Sequence, residues 1–109
     1  KQILEKSYEK AKECYIKSLE YNDKDSKAFY NIAMTFLMTE DLEKSREYFL
    51  KAIELNPKYT NAYINLGVVN KRLELIDESI SCFETALDLN PNEADIYYNY
   101  ANVFLKLEQ

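Results

Sequence analysis

Residues 52–57 read Ala-Ile-Glu-Leu-Asn-Pro, and residues 86–91 read Ala-Leu-Asp-Leu-Asn-Pro. The two segments start 34 residues apart, and each ends at one of the two prolines in the chain. Other segments recur with the same step, namely Asn31-Ile32-Ala33, Asn65-Leu66-Gly67 and Asn99-Tyr100-Ala101. A constant period of this size indicates stacked repeats, in which each unit buries its apolar face only against its neighbours.

The 109-residue chain has an ordinary globular composition, with 47% hydrophobic and 30% charged residues. One glycine and two prolines are too few for sheet turns or flexible linkers, so we expect helices joined by short connections. The net charge of −5 argues against nucleic acid or an anionic membrane as the partner. No apolar run approaches the roughly 18 residues of a spanning helix. The chain starts without Met and inside a repeat, which suggests a piece of a longer repeat protein.

The two cysteines, Cys14 and Cys82, lie two periods apart. Stacked helices are about 8–10 Å apart, so equivalent positions two repeats away exceed the roughly 7 Å that a disulfide allows between α-carbons. We therefore expect unpaired thiols that serve as small buried or half-buried hydrophobic residues, as suits a reducing, intracellular and cytoplasmic location. Because the chain has no histidine, two isolated thiols make no zinc site, and we expect no metal and no cofactor.

Apolar residues follow helical spacing, with Ile32 and Phe36 marking one helix and Phe49 and Ala52 the next. With proline at position 32 of the repeat, residues 26–59 and 60–93 form complete repeats. Residues 1–25 are then the second half of a repeat, and residues 94–109 are the first half of another. The predicted helices span about 8–21, 27–39, 42–55, 61–73, 76–89 and 94–107.

Capping residues and prolines set the predicted ends of these helices. Ser26 and Thr60 are expected to cap first helices of a repeat, and Asp41 a second helix, because their side chains can accept from the open amides of the first turn. Pro57 and Pro91 are expected to end the second helices, since proline lacks the amide donor and restricts the residue before it.

This unit resembles the tetratricopeptide repeat, a helix–turn–helix of 34 residues. The matching positions are the aromatic Phe29, Tyr63 and Tyr97 of the first helix and the aromatic-and-alanine pairs Phe49 with Ala52 and Phe83 with Ala86 of the second. The only glycine, Gly67, falls where helices of the family pack closely. The resemblance covers residues 1–109 as a single array. It implies an all-α, right-handed α-solenoid of antiparallel helix pairs (a superhelix) that binds proteins or peptides and is not an enzyme.

Several residues depart from the family pattern. The inter-helix turn, usually glycine, carries Glu40, Glu74 and Glu108, and a positive φ there would disfavour each glutamate by about 1 kcal/mol. Serine replaces the usual alanine at Ser45 and Ser79. Asn70 replaces a large apolar residue, which puts the packing of its repeat in question.

In the family the first helices line a concave groove, and this implies a set of candidate binding residues: Lys27, Tyr30, Asn31, Met34, Ile64, Asn65, Val68, Lys71, Arg72, Tyr98, Asn99, Asn102 and Lys106. Three asparagines, one per repeat, could pair with the backbone of an extended peptide, because a carboxamide both donates and accepts. Similar ladders occur in O-GlcNAc transferase. The alternative is a structural role, since asparagine is common at this position of the family.

The charged members of this set are Lys27, Lys71, Arg72 and Lys106, opposed by Asp95. This balance favours an acidic or phosphorylated partner. The alternative is that the cations complement the dipole at the ends of their helices. The apolar members add a surface for aliphatic or aromatic anchors of the partner.

Chaperone cofactors of the family grip a C-terminal carboxylate with Lys and Asn, then Asn, then Lys and Arg on three successive first helices. Here the first pair would be Tyr30 and Met34, and the last pair Asp95 and Asn99. Only Asn65 matches. An aspartate repels a carboxylate, so we expect no such clamp.

Two other functions remain open at this point. The chain lacks a histidine, a phosphate loop and a nucleophile–base pair, yet it could be the substrate-recognition part of a larger enzyme, such as an O-GlcNAc-transferase-like glycosyltransferase. It could also be a self-assembling array. The apolar faces of the first and last helices would then meet head to tail through Tyr97, Tyr100 and Phe104 of one copy and Tyr8, Ala11 and Tyr15 of the next.

Overall fold

The computed structural model describes the backbone of residues 2–109 and the side chains of residues 5–109. Residues 2–109 contain six α-helices and no strand: α1 (Gln2–Tyr21), α2 (Ser26–Met38), α3 (Leu42–Leu55), α4 (Thr60–Arg72), α5 (Ile76–Leu89) and α6 (Ala94–Leu107). The chain divides after Pro57 into a first unit holding α1 to α3 and a second holding α4 to α6. The predicted all-α fold of helical repeats is confirmed.

The helix boundaries follow the predicted period closely. α3, α5 and α6 have the predicted ends, while α2 and α4 each begin and end one residue early. α1 begins at Gln2 rather than near residue 8. No glycine or proline interrupts residues 2–8, and Gln, Leu, Glu and Lys all favour helix, so the helix starts earlier than predicted.

The N-terminal cap explains the early start of α2. The carboxylate of Asp25 accepts from the amides of Lys27 and Ala28 at 3.1 and 3.4 Å, so α2 starts at Ser26 itself. Ser26 and Thr60 are each the first helical residue of their helix, so their predicted capping role is wrong. Tyr59, which precedes α4, makes no side-chain cap hydrogen bond. Asp41 caps α3 as predicted, accepting from the amide of Lys44 at 3.4 Å.

The turns after α2 and α4 contain the two residues with positive φ found in residues 2–109. Glu40 and Glu74 each have φ of 66°, in the left-handed region. The amide of Glu40 bonds to Leu37 O at 3.1 Å and the next amide bonds to Phe36 O at 2.9 Å, and the second turn repeats this double bond. This is the Schellman ending of a helix, which normally places glycine at that residue. Glu108 differs, with φ of −78°.

The core of the first unit lies between α2 and α3. Ile32 and Ala33 of α2 and Phe49 and Ala52 of α3 are fully buried. α1 packs on α2, where the ammonium of Lys12 lies 4.6 Å from the centre of the Phe36 ring.

The core of the second unit lies between α4, α5 and α6. Phe83, Ala86, Ile96 and Val103 are fully buried and form one apolar cluster. Gly67 confirms its predicted close packing, because a Cβ there would stand 2.7 Å from the Phe83 ring.

Buried polar side chains account for the departures from the family pattern. Ser45 Oγ donates to Ala33 O at 2.8 Å, and Ser79 Oγ donates to Gly67 O at 2.7 Å, so each serine ties a second helix to its first helix. The buried Asn70 side chain donates to Cys82 Sγ at 3.6 Å. No buried side-chain polar atom among the described side chains lacks a partner, so the repeat that contains Asn70 is packed with its polar groups satisfied.

Neither Cys14 nor Cys82 forms a disulfide. Cys82 is buried as predicted, but Cys14 is exposed, because the face of α1 that carries it is open. None of the helices described is long and apolar enough to cross a membrane.

Candidate functional site

The second unit brings two of the predicted asparagines onto adjacent helices. Asn65 on α4 and Asn99 on α6 are half-buried, and α4 contacts α6 directly. Each carboxamide donates to the backbone carbonyl four residues earlier, Asn65 to Asn61 at 3.0 Å and Asn99 to Asp95 at 2.8 Å. The repeat therefore places the same carboxamide, held in the same way, on both helices.

The third predicted asparagine, Asn31, lies on α2 in the first unit. It is half-buried, and its backbone carbonyl accepts from the hydroxyl of Thr35 at 2.8 Å. Thr35 is itself buried, which anchors this turn of α2 in the core. Asn31 is therefore half-buried in the first unit, as Asn65 and Asn99 are in the second.

The apolar candidates differ in how much surface they offer. Ile64 and Val68 are half-buried and pack against the apolar cluster of the second unit, so part of each side chain belongs to the core. Tyr98 is 70% exposed and is the most open of the set. In the first unit Met34 is half-buried and the Tyr30 ring meets Phe49 edge-on, with centroids 5.6 Å apart.

The charged candidates are less uniform than the sequence suggested. Lys106 is bound to Glu74, with Nζ and Oε1 3.0 Å apart, which neutralises one of the predicted cations. Lys71 and Arg72 occupy the last turn of α4, where cations also complement the helix dipole. Asp95 lies exposed in the first turn of α6. Of the other members, Lys27 is exposed on α2 and Asn102 is half-buried on α6.

Glu74 is the residue of this surface that sequence reasoning missed. It has positive φ in the turn after α4, and its carboxylate reaches Lys106 on α6. The available signal was the departure from glycine at this position, which was interpreted only as a local conformational penalty.

Two tyrosines near the α4–α5–α6 contacts have perturbed acidity. Burial raises the pKa of Tyr100 above 10.0, and the carboxylate of Glu84, which accepts its hydroxyl at 3.4 Å, raises it further. Burial also raises the pKa of Tyr63, and the adjacent Cys82 adds to the effect. Both hydroxyls are therefore neutral donors at physiological pH.

The candidate side chains are of types that suit binding. Carboxamides, an exposed tyrosine ring and ammonium or guanidinium groups can pair with a polypeptide backbone and its side chains. In the part of the chain that the structure describes, no three side chains of the metal-ligating types come together.

Comparisons with known proteins agree with this architecture. Models described as "Tetratricopeptide repeat" match residues 26–59 and residues 3–25, and a model described as "TPR repeat" matches residues 76–108. Together these matches cover most of the chain. No protein of curated function matches the sequence at a significant level.

Solved structures with the same fold include several tetratricopeptide domains. The first TPR of Spaghetti (RPAP3), bound to an HSP90 peptide, superposes with a TM-score of 0.89 at 22% identity, over 96% of this chain and 83% of that one. The second TPR domain of human RPAP3, in complex with an HSP70 peptide, gives 0.85 at 26% identity, over 92% and 83%. The Arabidopsis OM64 TPR domain gives 0.86 at 22% identity, over the same shares.

The period, the helix pairs, the glycine packed on Phe83 and the three model matches all lead to one assignment. This chain belongs to the tetratricopeptide repeat family.

Proposed function

We propose that this protein-interaction domain binds an extended segment of another polypeptide, and that the surface formed by α4 and α6 contacts the backbone of that segment through Asn65 and Asn99. The observation that carries the proposal is the repeated carboxamide, half-buried and bonded to its own helix in the same way on both helices. Asn31 occupies the same repeat position on α2, and we assign it the same role within the first unit.

The held carboxamide favours one mode of pairing. Because one N–H of Asn99 is used by the carbonyl of Asp95, the plane of the amide is set and its oxygen can accept from a peptide N–H. Packed helices lie about 8–10 Å apart, which matches roughly three residues of extended chain at about 3.3 Å each. Successive asparagines can therefore meet every third residue of a bound strand.

The similar structures support peptide binding as a class but not the same ligand. Their peptides, SRMEEVD and SGPTIEEVD, end in the same acidic residues. Here two of the corresponding sequence positions hold the uncharged Tyr30 and Met34. A third holds the exposed Asp95, whose carboxylate would repel a terminal carboxylate. We propose instead an internal segment with an aliphatic or aromatic anchor on Tyr98 and an acidic or phosphorylated residue near Lys71.

The test begins with selection of peptides on the purified chain from a random library, followed by titration of the best one. Asn65→Ala and Asn99→Ala should each weaken binding about fivefold, since a hydrogen bond contributes about 1 kcal/mol. Alanine is the better helix former, so both helices are retained. Asn92→Ala, at an exposed asparagine of the α5–α6 connection, is the matched control and should bind normally.

Unchanged affinity in the Asn65→Ala, Asn99→Ala double variant would reject the proposed surface. The ligand class is tested separately with a peptide ending in Glu-Glu-Val-Asp, which should bind at least tenfold more weakly than the selected peptide. Lys71→Glu should weaken a selected acidic peptide and leave a neutral one unaffected.

A further inference from the structure

The first unit has a shallow depression between α2 and α3, on the side of α2 opposite its asparagine. Phe29 of α2 and Glu47, Tyr48 and Lys51 of α3 line this α2–α3 depression, and its volume is about 250 Å³. Phe29 lies two residues before Asn31, so the two side chains project about 200° apart around α2. Pockets that hold small molecules usually measure about 300–1,000 Å³, so the depression suits a single side chain of a partner rather than a cofactor.

The aromatic rings of the depression belong to a column that already binds one cation. The ring of Tyr48 stacks on Phe29 and on Phe36, with centroids 6.1 and 5.5 Å apart. At the Phe36 end of this column, the ammonium of Lys12 lies 4.6 Å from the ring centre and 2.7 Å from a carboxylate oxygen of Glu9. Ring and carboxylate together hold this lysine, whose side chain is only 14% exposed.

Glu47 brings a second carboxylate to the Phe29 end of the column. None of the described side chains forms an ion pair or a hydrogen bond with the exposed carboxylate of Glu47. The cation of the depression, Lys51, has its ammonium 3.9 Å from the carboxylate of Glu54, so the three charged groups sum to −1. This end of the column therefore offers a ring and a carboxylate to a cation from outside the chain.

The depression belongs to the first of the two complete repeats and is not repeated in the second. One period later, the positions of Phe29, Glu47, Tyr48 and Lys51 hold Tyr63, Ser81, Cys82 and Thr85. The second repeat thus lacks both the carboxylate and the ring that α3 supplies in the first. It serves as an internal comparison, because the backbone pattern is the same and the chemistry differs.

We infer that the α2–α3 depression binds an arginine side chain of a partner polypeptide. The guanidinium lies against the rings of Phe29 and Tyr48 and pairs with the carboxylate of Glu47. Arginine fits better than lysine, because its planar group stacks on aromatic rings and donates two parallel hydrogen bonds to a carboxylate. The net charge of −5 attracts a basic segment toward the chain. The inference is independent of the proposed peptide surface, since it uses none of the asparagines.

The strength of this contact follows from its small size. An exposed cation–π contact and an exposed ion pair each change an affinity only a few-fold. A short peptide with one arginine should therefore bind with a Kd on the order of 1 mM. Within a longer partner segment, the same side chain would act as an anchor that adds about tenfold to the affinity.

Titration of the chain with matched pentapeptides, followed by NMR, tests the site. Acetyl-Gly-Ser-Arg-Ser-Gly-amide should shift the backbone amides near Phe29 and from Glu47 to Lys51, with little change at the equivalent positions of the second repeat. Citrulline in place of arginine keeps the shape but removes the charge, so it should weaken binding at least fivefold. Equal affinities for these two peptides would overturn the inference, and so would tighter binding of a peptide with glutamate at that place.

Substitutions in the chain separate the two contacts of the guanidinium. Glu47→Gln, at an exposed position, should weaken the arginine peptide about threefold to fivefold and leave the citrulline peptide unaffected. Asp88→Asn, exposed on α5, makes the same change in net charge and is the matched control that should bind normally. Phe29→Leu should weaken binding by a similar factor through loss of the ring, with unfolding measured alongside because Phe29 is half-buried.

The outcome is distinguishable from that of the proposed function. The Asn65→Ala, Asn99→Ala double variant should retain the full response to the arginine peptide, because neither residue lines the α2–α3 depression. Equal binding by Glu47→Gln and Asp88→Asn, or a response to the arginine peptide confined to α4 and α6, would refute the site.

Discussion

At the residue scale, Glu40 and Glu74 have positive φ, and the resulting backbone strain should be relieved by substitution with glycine. A left-handed backbone disfavours an L side chain by about 1–2 kcal/mol, while glycine adopts it freely. We expect Glu40→Gly to raise the free energy of unfolding by about 0.5–1 kcal/mol, after allowing for the greater entropy of glycine in the unfolded chain. Chemical denaturation would measure the change.

The chain contains controls for this prediction. Glu108 occupies the same repeat position with φ of −78°, so Glu108→Gly should give no gain. Glu74→Gly should gain less than Glu40→Gly, because it also removes the ion pair with Lys106. Equal effects at Glu40 and Glu108 would show that backbone strain is not the cause.

Gly67 and Ala33 occupy one repeat position, and exchanging the residue at either place should be destabilising for opposite reasons, overpacking at Gly67 and loss of a packed methyl group at Ala33. A Cβ at Gly67 would stand 2.7 Å from the fully buried Phe83 ring. Overpacking costs about 1–3 kcal/mol, more than the 0.5–1 kcal/mol that alanine gains in a helix, so Gly67→Ala should lose roughly 1 kcal/mol. Ala33→Gly should also be destabilising, because the first unit has room for the methyl group. Thermal and urea unfolding of both variants would measure these changes in stability. Stabilisation by Gly67→Ala would contradict the prediction.

At the scale of helices, a buried serine hydroxyl joins each second helix to the first helix of its pair. Ser45→Ala and Ser79→Ala should each lower the free energy of unfolding by about 1 kcal/mol, the usual contribution of one hydrogen bond. Ser81→Ala, on the exposed side of α5, should change it by less than about 0.5 kcal/mol. Urea denaturation would measure the free energy of unfolding of the three variants. A decrease for Ser81→Ala as large as for Ser45→Ala and Ser79→Ala would mean that the buried hydroxyl hydrogen bonds do not account for the loss.

The contact between α5 and α6 should weaken at high pH. Because folding raises the pKa of Tyr100 above 10.0, the unfolded chain loses that proton first, and the free energy of unfolding falls as the pH rises past about 10. Below that pH Tyr100 is protonated in both the folded and the unfolded chain, so it no longer makes the free energy of unfolding depend on pH. Tyr100→Phe should reduce the slope measured by urea denaturation between pH 9 and 11. A slope identical to that of the unsubstituted chain would contradict the assigned cause.

At the scale of the whole molecule, most of the fold could be predicted from the repeat period of the sequence. Three of the six helices have the ends that the repeat predicts, and Gly67 was placed correctly because only glycine tolerates that contact. The errors are local. α2 starts one residue early because Asp25 rather than Ser26 caps it, and α1 runs longer because nothing in residues 2–8 stops it.

The candidate site was less predictable than the fold. The repeat period placed Asn65 and Asn99 on neighbouring helices, since equal positions of successive repeats face the same way. It did not reveal the ion pair of Lys106 with Glu74, which depends on how the turn after α4 lies against α6. It also overstated the free apolar surface, because Ile64 and Val68 pack partly into the core.

The most direct test of peptide binding is a map of backbone amide chemical shifts of the chain titrated with a library-selected peptide. The account predicts that the largest changes fall on α4 and α6 around Asn65 and Asn99, with a matching response on α2 near Asn31. Changes confined to the depression lined by Phe29, Glu47, Tyr48 and Lys51, with the asparagine-bearing helices silent, would contradict it.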